Sequence, residues 1–170
     1  MKDIKIINVR IVDKNTDKIG SVTIKDGKIT SLSIDDNNCT VIDGKGMVLM
    51  PAFADLHAHF RDPGFTYKED IETGSKASVK GGYTSVVVMA NTNPVCSNMD
   101  VYNYVKSKAK EVGLVDVEPV ITISNNLLGE DSNHLNNLDS CVKFISDDGR
   151  GVMSSKMMED ALEISKNWIW

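Results

Sequence analysis

A change of hydrophobic pattern near residue 50 constrains the fold of this chain more than any other feature. Before it, short alternating runs of Ile and Val are separated by polar turns, and Asp26-Gly27 between two such runs is typical of a two-residue hairpin loop. After Gly46 the segment MVLMPAFADLHAHF is almost continuously apolar, as in a parallel strand buried on both faces. We therefore expect a small antiparallel β domain over residues 1–49 and a parallel-sheet domain over residues 50–170.

Strand-like and helix-like segments alternate after this run, which predicts right-handed βα units and an α/β fold. The predicted elements are a helix at 68–80, a strand at 83–90, a helix capped by Ser97 with Asp100, strands at 115–123 and 141–146, and a helix from about Ser154. The last helix is expected to bury Met157, Met158, Ala161, Leu162 and Ser165, and residues 168–170 resemble the start of a fifth strand. An eight-unit barrel needs roughly 250 residues. We therefore expect the first half of a TIM-type barrel, about four units.

Composition excludes several classes of protein. A formal charge of −5 without Lys/Arg runs argues against nucleic-acid binding, and no apolar run is long enough to span a membrane. The charged, interrupted N-terminus does not resemble a signal peptide, so the expected location is the cytoplasm. Three scattered cysteines suggest neither a disulfide framework nor a thiolate metal site.

The motif His57-Ala58-His59 follows the first strand of the second domain. Side chains two residues apart on a strand face the same way, so both imidazoles can converge on one metal ion. In barrel enzymes the carboxyl ends of the strands carry the active site. Asp55, on the same face, could orient one imidazole. The alternative is that local hydrogen bonds satisfy both histidines.

Three further polar groups follow strand ends. Arg61 could bind a substrate carboxylate through two parallel hydrogen bonds, or could simply pair with Asp62. Asn91 is free to bind a ligand, whereas Asn93-Pro94 is typical of a turn. Asp147-Asp148 precedes Gly149 and could either form a turn or supply carboxylate oxygens that complete a zinc site.

Together these motifs resemble the dihydroorotases of the amidohydrolase superfamily. The resemblance rests on HxHxR followed by PG, then KED, IETG, GGYT, NTNPV and finally FISDDGRGV, and it extends through the whole chain. It implies a zinc enzyme, with one or two ions in the full-length protein. It also implies the reversible cyclisation of N-carbamoyl-L-aspartate to dihydroorotate in pyrimidine biosynthesis.

The resemblance also implies roles for individual residues. His57 and His59 correspond to zinc ligands, and Arg61 and Asn91 to the residues that hold the substrate carboxylate. Asp148 is the favoured third ligand, with Asp147 or a carboxylated Lys143 as less favoured substitutes. Two further histidine ligands and the general acid/base aspartate belong to later barrel units, and His134 matches none of them, so no catalytic acid/base is assigned here.

Several expectations follow from this assignment. The 170-residue chain alone should have little or no activity, and its open sheet edges should lead to a homodimer or larger self-association. One alternative is another cyclic amidohydrolase, a hydantoinase or allantoinase. The other is a non-catalytic relative that supports aspartate transcarbamoylase, although such a relative would be expected to lose its histidine ligands.

Overall fold

A computed structural model of the chain describes residues 3–30 and 39–166, and it divides into two compact units, Met1–Pro51 and Ala52–Trp170. The proposed start of a fifth strand at residues 168–170 lies outside the described residues. None of the helices in the described ranges combines the length and the apolar character that crossing a membrane requires.

The described residues of the first unit form a five-stranded sheet. Its strands are β1 (Asp3–Val12), β2 (Asp17–Lys25), β3 (Lys28–Thr30), β4 (Cys39–Asp43) and β5 (Val48–Leu49). The main path runs β3-β2-β1-β4, and β5 also pairs with β1.

The predicted hairpin is present at the turn between β2 and β3. Lys25 pairs with Lys28, and the two loop residues Asp26 and Gly27 have φ angles of 50° and 74°. Positive φ at both positions is the signature of a type I′ turn. The prediction of a wholly antiparallel unit is wrong, because β4 and β5 both run parallel to β1. Alternating hydrophobicity reports which face a side chain occupies, not the direction of the neighbouring strand.

The second unit alternates strands and helices. It contains β6 (Phe53–Ala58), α1 (Ile71–Gly81), β7 (Tyr83–Val88), α2 (Met99–Val112), β8 (Asp116–Pro119) and α3 (Ser155–Ser165), with short 3-10 turns at Asn125–Leu127 and Asn133–Asn137. The strands form a parallel sheet in the order β6-β7-β8, and a parallel bridge from Ile121 to Ile145 extends this order. The predicted α/β class, a small β unit followed by part of a barrel, is confirmed.

Local capping signals place the helices. Asp70 caps α1 by accepting a hydrogen bond from the Thr73 amide at 2.8 Å, and Gly82 ends the helix in the left-handed conformation that glycine adopts readily. For α2 the cap is Asn98, which accepts from Val101 at 3.1 Å, so the expected Ser97 cap is wrong by one residue. The Ser97 hydroxyl instead donates to Asn126.

Three apolar clusters of described residues stabilise the second unit, and the two larger ones contain its helices. One lies between the sheet and the helices α1 and α2, and its buried residues are Phe60, Ile71, Val86, Val88, Val105, Ala109, Val115 and Val117. The other joins α3 to the end of the sheet through residues such as Tyr102, Ile121 and Val142. In α3 only Met157 and Ala161 of the expected face are buried, since Met158 and Leu162 lie on an adjoining, more exposed side.

Two strand predictions need correction. The segment at 141–146 is not a ladder strand, because Val142 closes a turn onto Asp139 and pairing starts only at Phe144 and Ser146, both bonded to Ile121. The run around β6 is not buried on both faces: Phe53 is 47% exposed and Leu56 is 67% exposed. Among the described residues β6 pairs only with β7, so one of its edges has no strand partner.

Candidate metal centre

Two histidines at the end of β6 converge on one carboxylate. His57 Nε2 lies 3.3 Å from Asp148 Oδ1, and His59 Nε2 lies 3.6 Å from Asp148 Oδ2. The two imidazole centroids are 5.2 Å apart with the rings at 70° to each other. Pairing of β6 with β7 shifts register between Asp55 and Ala58, at the point where the strand presents His57. Each histidine therefore faces a different oxygen of the same carboxylate.

The spacing of these donors suits a small metal ion. One ligand atom from each of the three residues lies within 4.8 Å of the others. Two atoms bonded at about 2.1 Å to a tetrahedral ion are about 3.4 Å apart, so the His–Asp separations are already close to those of a coordinated set. Two imidazole nitrogens and a carboxylate oxygen are also the donors that a catalytic metal uses. The group can therefore hold a metal ion with a position left open.

The neighbouring Asp147 is held elsewhere. It is 6% exposed, and its carboxylate accepts hydrogen bonds from the amide of Ile123 at 2.7 Å and from the amide and hydroxyl of Ser124. These contacts fix the DDG turn to the segment that follows β8. The two adjacent aspartates thus have separate surroundings, and the structure brings only Asp148 to the histidines.

Lys143 contacts Glu118, whereas a carboxylated lysine ligand would have to lie beside His57 and His59. Its Nζ lies 3.3 Å from Glu118 Oε2 on β8, and Lys106 of α2 approaches the same oxygen at 3.1 Å. Burial raises the pKa of Glu118, but a hydrogen bond from Tyr102 and the two lysine charges lower it by more, so this pKa lies below its usual value. Lys143 therefore belongs to an ion-pair cluster centred on Glu118.

Asn91 contacts His59 of the metal group, by which we mean the candidate ligands His57, His59 and Asp148. Its Oδ1 lies 3.1 Å from His59 Nδ1, on the side of the ring opposite Asp148. Asp55 was expected to orient an imidazole, but its carboxylate accepts from the backbone amide of His57 at 3.0 Å instead. The residue that sequence reasoning placed beside the substrate therefore also contacts a metal-site imidazole, a contact that spacing along the chain could not show.

Arg61 is not paired with Asp62. Asp62 is 2% exposed and contacts two side chains of α2, accepting from the Tyr104 hydroxyl at 2.9 Å and pairing with Lys108 Nζ at 3.2 Å. Within residues 3–30 and 39–166, no side chain forms a hydrogen bond or ion pair with the Arg61 guanidinium. The carboxylate that could have neutralised Arg61 is thus occupied, and the guanidinium keeps its donors.

The turns that carry Arg61 and Asn91 are packed together. Asn93 donates its amide to Pro63 O at 2.9 Å, and a Cβ on Gly64 would come within 2.1 Å of Asn93 O. Only glycine permits this approach, which also uses a φ of 93°. The PG and NTNPV motifs therefore contact each other and fix the relative position of the two turns.

Sequence reasoning missed the residues that support the site. Tyr104 and Lys108 lie one turn apart on α2, and helical spacing does not show that both contact the Asp62 carboxylate. Ser124, whose hydroxyl and amide bind Asp147, follows the predicted strand at 115–123 and carries no motif that identifies it. His134, outside the metal group, has its Nε2 2.9 Å from Thr122 O.

Comparison with known proteins identifies the family of the chain. The family model described as Dihydro-orotase-like matches residues 46–167. A Dihydroorotase of Clostridium botulinum (strain Eklund 17B / Type B) is 47% identical over 98% of this chain, and one of Acetivibrio thermocellus is 43% identical over 89% of it. The chain spans 44% and 36% of these two relatives.

Solved structures support the fold. The crystal structure of dihydropyrimidinase from Brevibacillus agri NCHU1002 matches 98% of this chain with a TM-score of 0.69 and 20% sequence identity, and the match covers 38% of that protein. At this identity the likeness concerns the fold alone. The family match covers most of the second unit, including all three residues of the metal group. The resemblance read from the motifs is thereby confirmed, and the chain belongs to the dihydroorotase-like family.

Proposed function

We propose that this chain supplies the metal-binding edge of a zinc-dependent dihydroorotase, which interconverts N-carbamoyl-L-aspartate and (S)-dihydroorotate in cytoplasmic pyrimidine biosynthesis. The observation that carries the proposal is the convergence of His57 and His59 on Asp148 at 3.3 and 3.6 Å. Arg61 follows His59 by two residues, and its guanidinium has no side-chain partner among the described residues. The relatives named Dihydroorotase support the choice of substrate.

The charge of the site suits an anionic substrate. Bound zinc supplies Lewis acidity, which activates water and polarises an amide carbonyl. Asp148 would offset one of the two positive charges of such an ion, and His57 and His59 would hold it as neutral ligands. The remaining positive charge and the nearby Arg61 both attract a carboxylate.

Arg61 and Asn91 have complementary tasks towards that carboxylate. A guanidinium binds a carboxylate through two parallel hydrogen bonds, which fixes its orientation as well as its position. The joint contact of Gly64 with Asn93 holds the two turns together. Holding the substrate in one orientation beside the metal lowers the activation barrier. In well-aligned intramolecular reactions this effect is about 7 kcal/mol or more.

Zinc titration of the purified chain tests the site. Alanine in place of His57, His59 or Asp148 should weaken zinc binding by more than about 100-fold, the upper end for loss of an outer-shell partner. His134→Ala is the matched control, because this histidine lies outside the metal group, and it should leave zinc affinity unchanged. Equal zinc affinity of the wild type and the His57→Ala variant would contradict the proposal.

Turnover is expected to need more than these residues. The general acid/base aspartate implied by the family resemblance has no assigned counterpart in this chain. We therefore expect the 170-residue chain to bind zinc but not to hydrolyse dihydroorotate. Measurable turnover that disappears in the His57→Ala variant would refute this expectation.

A second candidate is a hydantoinase-type activity, the alternative that the HxH motif leaves open. The substrate carboxylate discriminates between the two. With zinc present, N-carbamoyl-L-aspartate should bind to the chain and an uncharged hydantoin should bind more weakly, and Arg61→Met should abolish the difference. Preference for the hydantoin would favour the second candidate.

We also propose that the chain self-associates through its second unit. Among the described residues β6 has one edge without a strand partner, and its Leu56 side chain is 67% exposed. Sedimentation at micromolar concentration should show a dimer or larger species, and a compact monomer would contradict this. Adding aspartate transcarbamoylase to the same experiment tests the alternative partner.

A further inference from the structure

We propose that Asn91 is a positioning residue for the metal ligand His59. It fixes the imidazole tautomer that presents Nε2 to the metal, and the same amide keeps its Nδ2 hydrogens for the substrate carboxylate. The inference rests on the metal site of the proposed function and gives Asn91 a second role there.

The first step is the hydrogen bond itself. A neutral imidazole carries one N–H, and the partner of the other nitrogen decides where it lies. Asn91 Oδ1, 3.1 Å from His59 Nδ1, is an acceptor and cannot donate. Asp148 Oδ2 is also an acceptor, but at 3.6 Å from His59 Nε2 it lies beyond hydrogen-bond distance. The 3.1 Å bond to Asn91 therefore places the proton of the neutral ring on Nδ1 and leaves Nε2 available to a metal ion.

The second step is an asymmetry between the two histidines. His59 has a hydrogen-bond partner on Nδ1, whereas the polar contact of the His57 ring among the described residues is the one from Nε2 to Asp148 Oδ1 at 3.3 Å. That carboxylate oxygen is an acceptor, so without a metal it favours the proton of neutral His57 on Nε2. Only His59 is fixed in a metal-binding form before an ion arrives.

The third step is the rigidity of Asn91. It follows β7, and Thr92 and Cys96 both donate their amides to Ala90 O, at 2.8 and 3.0 Å. The Thr92 hydroxyl donates to Pro94 O at 2.7 Å, which closes the turn from within. A side chain on such a braced turn can hold an imidazole at a constant orientation.

The fourth step separates the two halves of the amide. Oδ1 is engaged by His59, which leaves both Nδ2 hydrogens available as donors. Those hydrogens are the donors that a carboxylate requires. One amide can therefore serve the metal ligand and the substrate at once, and the two roles can be removed independently.

The experiment uses the 15N-labelled, metal-free chain at a pH above the ordinary imidazole pKa. Long-range 1H–15N correlation spectra distinguish the two neutral tautomers of His59. The variants are Asn91→Leu, which removes both roles, and Asn91→Asp, which keeps an oxygen for Nδ1–H but repels a carboxylate. Asn103→Leu, on the exposed side of α2, is the matched control.

We expect wild type, Asn91→Asp and the control to show the Nδ1–H tautomer, and Asn91→Leu to lose this preference. Zinc affinity should fall about 10- to 100-fold in Asn91→Leu and be retained in Asn91→Asp. With zinc bound, Asn91→Asp should bind N-carbamoyl-L-aspartate at least about 10-fold more weakly than wild type, because like charges repel.

Two results would overturn the inference: an Nε2–H tautomer of His59 in the wild type, or unchanged tautomer and zinc affinity in Asn91→Leu. Should that variant fail to fold, Asn91→Asp still tests the inference, since loss of its Nδ1–H tautomer would contradict it as well. Neither the tautomer spectra nor the zinc titration uses dihydroorotate. A protein that binds no dihydroorotate would therefore overturn the proposed function and leave this inference standing.

Discussion

Replacing Asp147 by alanine should destabilise the second unit, whereas the same change at Asp148 should not. The Asp147 carboxylate accepts from the amides of Ile123 at 2.7 Å and Ser124 at 3.0 Å, and from the Ser124 hydroxyl, in a setting that is 6% exposed. A hydrogen bond to a charged group contributes about 1.5–3 kcal/mol, and a buried donor left without a partner costs about 1–3 kcal/mol. Because these contacts share one carboxylate and do not add fully, we expect a total loss of about 3–5 kcal/mol.

The Asp148 side chain is 25% exposed, and the described residues give it only the two histidines as partners. Its removal takes away no acceptor from a buried amide, so the loss should stay below about 1 kcal/mol. Zinc affinity should show the opposite order, with a large loss in Asp148→Ala. In Asp147→Ala the residual folded protein should still contain all three proposed ligands.

Native-state hydrogen exchange with increasing urea, read peptide by peptide, measures the second unit separately from the first. Peptides containing Ile123 and Ser124 should lose protection in Asp147→Ala and keep it in Asp148→Ala. Asp147→Asn, which retains one carbonyl oxygen, should fall between the two. Equal destabilisation by the two alanine variants would refute the reasoning that assigns these neighbours different tasks.

Three further outcomes are expected. Gly74→Ala should destabilise the second unit by about 1–3 kcal/mol in urea denaturation, because its Cβ would lie 2.6 Å from the Phe60 ring inside the core. The lowered pKa of Glu118 stabilises the fold above its unfolded pKa and this contribution is lost as the pH falls through the folded pKa, so Glu118→Gln should flatten the acid limb of the stability–pH profile. Burial raises the pKa of the Cys96 thiol to about 12, so iodoacetamide at pH 8 should label the exposed Cys141 and spare Cys96, as peptide mass spectrometry would show.

The parts of the fold that sequence reasoning predicted well are those specified by local chemistry. Asp26-Gly27 encodes its own turn because the φ angles it needs are available to those two residues. The order of strands and helices after residue 50 follows from periodicity, which each segment carries within itself. The convergence of His57 and His59 follows from strand geometry in the same way.

The parts that failed depend on neighbours distant in sequence. A run such as residues 47–60 shows that Leu56 is apolar, but not whether another element packs on it, and in this chain it is exposed. The pattern at 141–146 is strand-like, but the Val142 amide donates to Asp139 O within a turn, so strand pairing begins only at Phe144. Strand direction in the first unit was likewise set by partners that hydrophobic spacing does not identify.

The separation of Asp147 from Asp148 shows how tertiary contacts assign chemistry that sequence alone leaves open. Both residues precede Gly149, and their spacing alone does not show which carboxylate would bind a metal ion. Ser124 and Ile123 occupy one carboxylate, which fixes the turn, and the turn then holds the other carboxylate opposite His57 and His59. The same division recurs at Arg61 and Asp62, where side chains of α2 bind the buried carboxylate and no described side chain pairs with the guanidinium. In each pair the buried carboxylate fixes the backbone, and the other side chain remains available for binding. Substitution of Asp147 or Asp62 should therefore destabilise or displace the turn, whereas substitution of Asp148 should weaken metal binding and substitution of Arg61 should weaken substrate binding.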